Sequence, residues 1–138
     1  INHGKNVLEI GPGMGVLTTF LIRKNINLKL IEIDNEAVSF LIKKFPTLKN
    51  KIITGNFIKM ELKTFFGGEN FSIIGNFPYN ISSQILFKTL ENRNRIPFFA
   101  ECSKKKWPKE SVKDQEVKPM VFFQYFVKSS IILNTFSV

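Results

Sequence analysis

The residues best equipped for chemistry fall in three short clusters, and the first is Glu9-Ile10-Gly11-Pro12-Gly13-Met14-Gly15. Closely spaced glycines let a backbone approach a ligand and adopt angles closed to other residues. A helix that starts just after them offers unpaired N–H groups to a carboxylate or phosphate. Dinucleotide-binding enzymes use a similar turn, but with the spacing G-x-G-x-x-G. Here the spacing is G-x-G-x-G with Glu9 just ahead, which favours a methyl-donor pocket. The second cluster is Glu32-Ile33-Asp34. A carboxylate at the end of a second strand can accept both hydroxyls of a ribose. Glu32 is placed for that role or is an ordinary strand-end acid, whereas Asp34 is better placed to cap the next helix.

The third cluster, Asn76-Phe77-Pro78-Tyr79, decides between the readings. An exocyclic adenine amine is a poor nucleophile because its lone pair is delocalised into the ring. A site that methylates it must accept its N–H hydrogens and hold the nitrogen against the methyl carbon. The Asn76 side-chain oxygen and the Pro78 carbonyl can do this together, with proline fixing the turn. Tyr79 offers a flat face for a base that has left its helix. Holding two reactants in line can itself supply much of a rate enhancement. Asn and Pro also form ordinary turns, but the position behind the other two clusters argues for chemistry.

The elements that must position these clusters follow from the apolar pattern. Residues 6–10, 28–33, 51–55 and 71–76 read as strands, and residues 16–24, 36–44 and 82–92 as helices. Strands alternating with helices predict a doubly wound α/β sheet of parallel strands, with helices on both faces. Ligands of such sheets bind beyond the carboxyl ends of the strands, where residues 11–15, 32–34, 55–57 and 76–79 all lie. The rhythm stops near Ala100. Residues 101–119 are charged and residues 120–138 apolar without clear turn punctuation.

Composition sets wider bounds. The 138 residues suffice for one domain with a core. Twenty Lys and Arg against eleven Asp and Glu give a net charge of +9, which suits a polyanionic partner or simply a solvated lysine-rich surface. One cysteine, Cys102, excludes an internal disulfide framework, and no Cys/His spacing suggests a metal site. No apolar run has the roughly 18–20 residues of a membrane span, and the single cysteine fits a reducing cytoplasm, the location expected. The start lacks an initiator Met, and the chain reads as a piece of a longer protein.

The runs EIGPGMGVLT, IEID, GNF and GNFPYNISSQIL resemble the successive motifs of the small-subunit rRNA adenine-N6,N6-dimethyltransferase family, over about residues 5–100. The resemblance implies a Rossmann-like class I S-adenosylmethionine-dependent methyltransferase, here truncated at both ends. It implies that Glu9, Gly11, Gly13 and Gly15 form the donor turn, that Glu32 holds the ribose, and that Asn76, Pro78 and Tyr79 bind the target amine. Family members place two methyls on each of two adjacent adenines near the 3′ end of small-subunit RNA. The implied partner is that RNA or the pre-ribosomal small subunit, met by a monomer. One departure stands out: where the family has Asp, this chain has Asn56, whose oxygen can still accept from the donor's adenine but without a charge. Phe57 either packs on that adenine or fills core. The related large-subunit rRNA methyltransferases and a non-catalytic RNA-binding role remain as alternatives. DNA adenine methyltransferases more often have Asp at the place of Asn76, and an oxidoreductase lacks its glycine spacing here.

The family continues past its fifth strand with a run like GMFQKEVAxR, which is absent in this frame. Back-translating residues 100–110 and displacing the frame by one nucleotide permits Gly-Met-Phe-Gln-Lys-Glu-Val-Ala-Lys-Arg. Residues 117–124, treated the same way, permit Lys-Thr-Tyr-Gly-Ile-Leu-Ser, and Trp107 and Met120, with single codons, still yield the expected Val-Ala and Gly junctions. The division expected is therefore residues 1–100 as a partial methyltransferase domain and 101–138 as a frameshifted tail.

Overall fold

The computed structural model describes residues 6–77, 79–103 and 121–126. Six strands form one sheet: β1 (Asn6–Ile10), β2 (Asn27–Glu32), β3 (Ile52–Thr54), β4 (Ser72–Gly75), β5 (Phe98–Ser103) and β6 (Val121–Phe126). Their order is β3-β2-β1-β4-β5-β6, parallel throughout except that β6 runs antiparallel to β5. The doubly wound parallel sheet expected from the apolar rhythm is therefore present. Four helices accompany it, α1 (Val16–Leu21), α2 (Asn35–Lys44), α3 (Lys63–Phe66) and α4 (Tyr79–Glu91), with 3-10 turns at Pro46–Lys51 and Phe57–Lys59.

Side-chain alternation along each strand explains why both faces are covered. Leu8, Ile10, Ile31, Ile73 and Phe99 point to one face, where they pack with Phe65 and Phe66 of α3 and Ile85 of α4. Val7, Leu30, Ile74 and Phe98 point to the other, against Leu17 and Leu21 of α1 and Leu41 of α2. β1 is buried along its whole length, as a central strand must be.

Several boundaries differ from the sequence reading; α1, expected over 16–24, stops at Leu21. α4 starts at Tyr79 and not at 82. β5 runs three residues past Ala100, and β6 pairs along all of it, from Phe98↔Phe126 to Ser103↔Val121. No element was expected there, since nothing punctuates the apolar stretch after residue 120. The triple lysine, Trp107 and Met120 lie outside the described residues.

Candidate functional site

Sheet order places the three clusters together. β2 and β3 lie on one side of β1, and β4 and β5 on the other, so the winding reverses between β1 and β4. Open α/β sheets bind ligands at such a reversal. Ile10 is in register with both Ile31 and Gly75, so Gly11, Glu32 and Asn76 leave the sheet edge side by side. Two backbone bonds tie these exits, from Gly11 N to the Ile31 carbonyl (2.9 Å) and from Gly55 N to the Glu32 carbonyl (2.9 Å).

Gly11, Gly13 and Gly15 all have positive φ, from 53° to 75°, a region that costs other L-residues about 1–2 kcal/mol. They differ in what surrounds them. A Cβ on Gly11 or Gly13 would meet nothing within 4 Å, whereas one on Gly15 would sit 2.6 Å from the Phe45 ring and 3.0 Å from Leu41. Gly15 is thus required by packing, and the first two leave open space over the turn.

Glu32 is buried and its carboxylate accepts three backbone N–H groups, those of Ile33 (2.8 Å), Asp34 (3.1 Å) and Gly13 (3.0 Å). It therefore holds the glycine turn against the end of β2. A carboxylate has about four acceptor positions, so one more donor can still bind. Asp34 caps α2 through Glu36 N at 2.9 Å, as its position suggested.

A cavity of about 210 Å³ opens at this edge, lined by Gly11, Glu32, Ile33, Gly55, Asn56 and Phe57 together with Ile81, Gln84 and Ile85 of α4. The lining joins the first two clusters to the GNF turn. Glu9 is not part of it. That side chain is buried beneath the turn, where it accepts the Thr18 hydroxyl at 2.8 Å. Burial pushes its carboxyl up to about 7, opposed by the Thr18 hydrogen bonds, with nearby Glu32 raising it further. Asn56 uses its side-chain oxygen to cap the following 3-10 turn through Ile58 N (3.0 Å). The Phe57 ring fills core, packing against Phe65, and the residue also lines the cavity.

Asn76 is exposed at the end of β4. Phe77 anchors it, turning inward to stack on Phe99 at 6.0 Å between ring centres. Gly75 makes room for this, since a Cβ there would lie 2.2 Å from the Phe77 ring and 2.5 Å from the Ile10 carbonyl. Pro78 and the side chain of Tyr79 lie outside the described residues, although Tyr79 opens α4. Sequence reasoning missed the contribution of α4. The signal was available: Ile81, Gln84, Ile85 and Lys88 are spaced as one helical stripe.

Among the described residues, no helix is long and apolar enough to cross a membrane, and no group of three or more potential ligands could hold a metal ion.

Over 94 residues the chain is 55% identical to ribosomal RNA small subunit methyltransferase A of Flavobacterium johnsoniae, which covers 68% of this chain and 36% of that protein. The protein of the same name from Bacteroides thetaiotaomicron is 53% identical over 91 residues, 66% of this chain and 34% of that one. The chain thus spans about a third of the length of the curated relatives it matches. Among solved structures, the 23S rRNA methyltransferase ErmE superposes with a TM-score of 0.63 at 27% identity, covering 76% of this chain and 42% of ErmE. A dimethyladenosine transferase from Plasmodium falciparum superposes with a TM-score of 0.56 at 29% identity, covering 72% and 35%. The model of the family described as ribosomal RNA adenine dimethylase matches residues 1–132, and the chain, a class I methyltransferase in fold, belongs to that family.

Proposed function

We propose that this chain carries the donor-binding and target-amine edge of an S-adenosylmethionine-dependent enzyme that dimethylates N6 of two adjacent adenines in small-subunit rRNA. The observation that carries the reading is the meeting of Glu32, the open glycine turn and Asn76 at the β1/β4 reversal. The cavity is below the roughly 300 Å³ at which pockets for whole drug-sized ligands begin. It suits the nucleoside end of a donor, with the methionine end lying over Gly11 and Gly13. Glu32 then takes a ribose hydroxyl, and Asn56 and Phe57 face the adenine. Gly15 and Glu9 act from beneath, one by packing and the other by bracing the turn through Thr18.

When bound, S-adenosylmethionine would supply an electrophilic methyl on a sulfonium sulfur; transfer to the N6 lone pair would leave the neutral thioether S-adenosylhomocysteine, the amine's proton passing to solvent. Asn76 and the Pro78 carbonyl accept the amine hydrogens, and Tyr79 stacks the base. Names of relatives at 50–55% identity favour the small-subunit substrate over the large-subunit one of the more distant ErmE. The setting we propose is cytoplasmic, with the enzyme a monomer on the RNA or the pre-ribosomal subunit.

We also infer that residues 101–138 are translated from a displaced frame. Similarity to the curated relatives runs over 91–98 of the 138 residues, whereas the family model's match runs on to residue 132; a run rich in Val and Phe retains strand propensity whatever its origin. The coding DNA decides it, since an early stop in the displaced frame contradicts the idea. Activity is tested by incubating the chain with labelled donor and unmethylated small-subunit RNA. N6,N6-dimethyladenosine should appear, and Asn76→Ala should reduce it by a factor of about 100 or more, the scale of losing one transition-state hydrogen-bonding group.

A further inference from the structure

Lys88 lies in the third turn of α4, yet its ammonium leaves the helix and closes a turn about thirty positions away in the chain. It donates to the carbonyls of Phe57 (2.7 Å), Ile58 (3.0 Å) and Met60, and lies 4.9 Å from the centre of the Phe57 ring. These carbonyls belong to the 3-10 turn that Asn56 caps from the other end. An ammonium has three donors, and all three are matched by this one turn. Its half-buried setting costs it solvation and lowers its pKa. A lysine left unpaired for solvent would not accept that cost.

The same helix face contributes Ile81, Gln84 and Ile85 to the cavity, while the turn contributes Asn56, Phe57 and Ile58. Lys88 therefore spans the two walls from behind. We propose that Lys88 is a positioning residue: by fixing the Asn56–Met60 turn to α4 it sets the distance between the two cavity walls and so the preference of the site for an adenine ring. This rests on the reading that the cavity takes the adenine end of the donor. It makes Lys88 neither a ligand of the donor nor a catalytic residue.

The test compares the full chain with Lys88→Met, which keeps the aliphatic stem, and Lys88→Arg, which keeps a cation. Two readouts are needed: amide hydrogen exchange at residues 58–60, and calorimetric affinity for S-adenosylhomocysteine against S-inosylhomocysteine, in which a carbonyl replaces the adenine amine. Lys88→Met should speed exchange at those amides and weaken S-adenosylhomocysteine by about 10-fold, the scale of losing a charged hydrogen-bond donor. The inosyl compound should weaken less, so the adenine preference narrows, and Lys88→Arg should recover part of it. Unchanged exchange, or equal losses for both compounds, overturns the positioning role. If Lys88→Met fails to fold, Lys88→Gln, which removes the charge and cannot match three carbonyls, carries the comparison, and an unaltered preference there overturns the proposal. An unaltered chain that binds neither compound overturns the proposed function, and the adenine-selecting role of Lys88 falls with it.

Discussion

Burial governs Glu9 more than any neighbour does. Its carboxyl moves from an ordinary 4.5 to about 7 because the sheet and α1 enclose it, even though Thr18 stabilises its charged form. The sign of the consequence is fixed. Between about pH 4.5 and 7 the folded chain holds a proton that the unfolded chain releases, so stability falls as pH rises through that window and levels off above it. The span corresponds to about 3 kcal/mol. Glu9→Gln keeps an oxygen for the Thr18 hydroxyl and removes the titration. Urea midpoints at pH 5 and pH 8 should therefore converge in the variant, with the gain over the natural chain appearing at pH 8. Glu32, at the same edge, spends its carboxylate on three backbone N–H groups. The expectation that it holds a ribose thus gains a second duty that no motif announces, bracing the turn before any ligand arrives.

At the scale of elements, the glycine turn works because α2 supports it. Leu41 and Phe45 press on Gly15, and Lys44 donates to the Met14 carbonyl at 3.0 Å. Gly15→Ala should cost at least about 2 kcal/mol, adding overpacking to the positive-φ strain. Gly11→Ala should cost only the strain, about 1–2 kcal/mol, and show its larger effect on donor affinity. Thermal unfolding of both variants separates the two. β1, β2 and α2 were legible in the sequence because alternation, glycine punctuation and the Asp34 cap are local signals. The GNF turn was legible as a site through Asn56, but not its closure by Lys88, since the partners are 28–31 positions apart. β6 was illegible for another reason: its pairing with β5 depends on a neighbouring edge, and nothing in 120–138 marks where a strand should begin. The Asn76 exit was legible from residue types, while the device that aims it, Phe77 folding back over Gly75 onto Phe99, is a packing fact.

For the whole molecule, the two cores and the edge chemistry divide the labour. Each sheet face is closed by its own helices, so the carboxyl edge is left to carry function. The net charge of +9 suits a polyanionic partner, whose phosphates reward cations by releasing counterions, but charge alone would not distinguish this chain from many basic proteins. What distinguishes it is that Gly11, Glu32, Asn56 and Asn76 converge from four strand ends far apart in sequence. The central claim is that this convergence binds S-adenosylmethionine. Calorimetric titration of the full chain with S-adenosylmethionine, beside a Glu32→Ala variant shown to be folded by circular dichroism, tests it most directly. The account predicts saturable one-site binding that Glu32→Ala weakens by about 10–100-fold, the loss of one charged hydrogen bond and of the turn it holds. A folded chain that takes up no donor, or a Glu32→Ala variant that binds it equally well, would contradict the account.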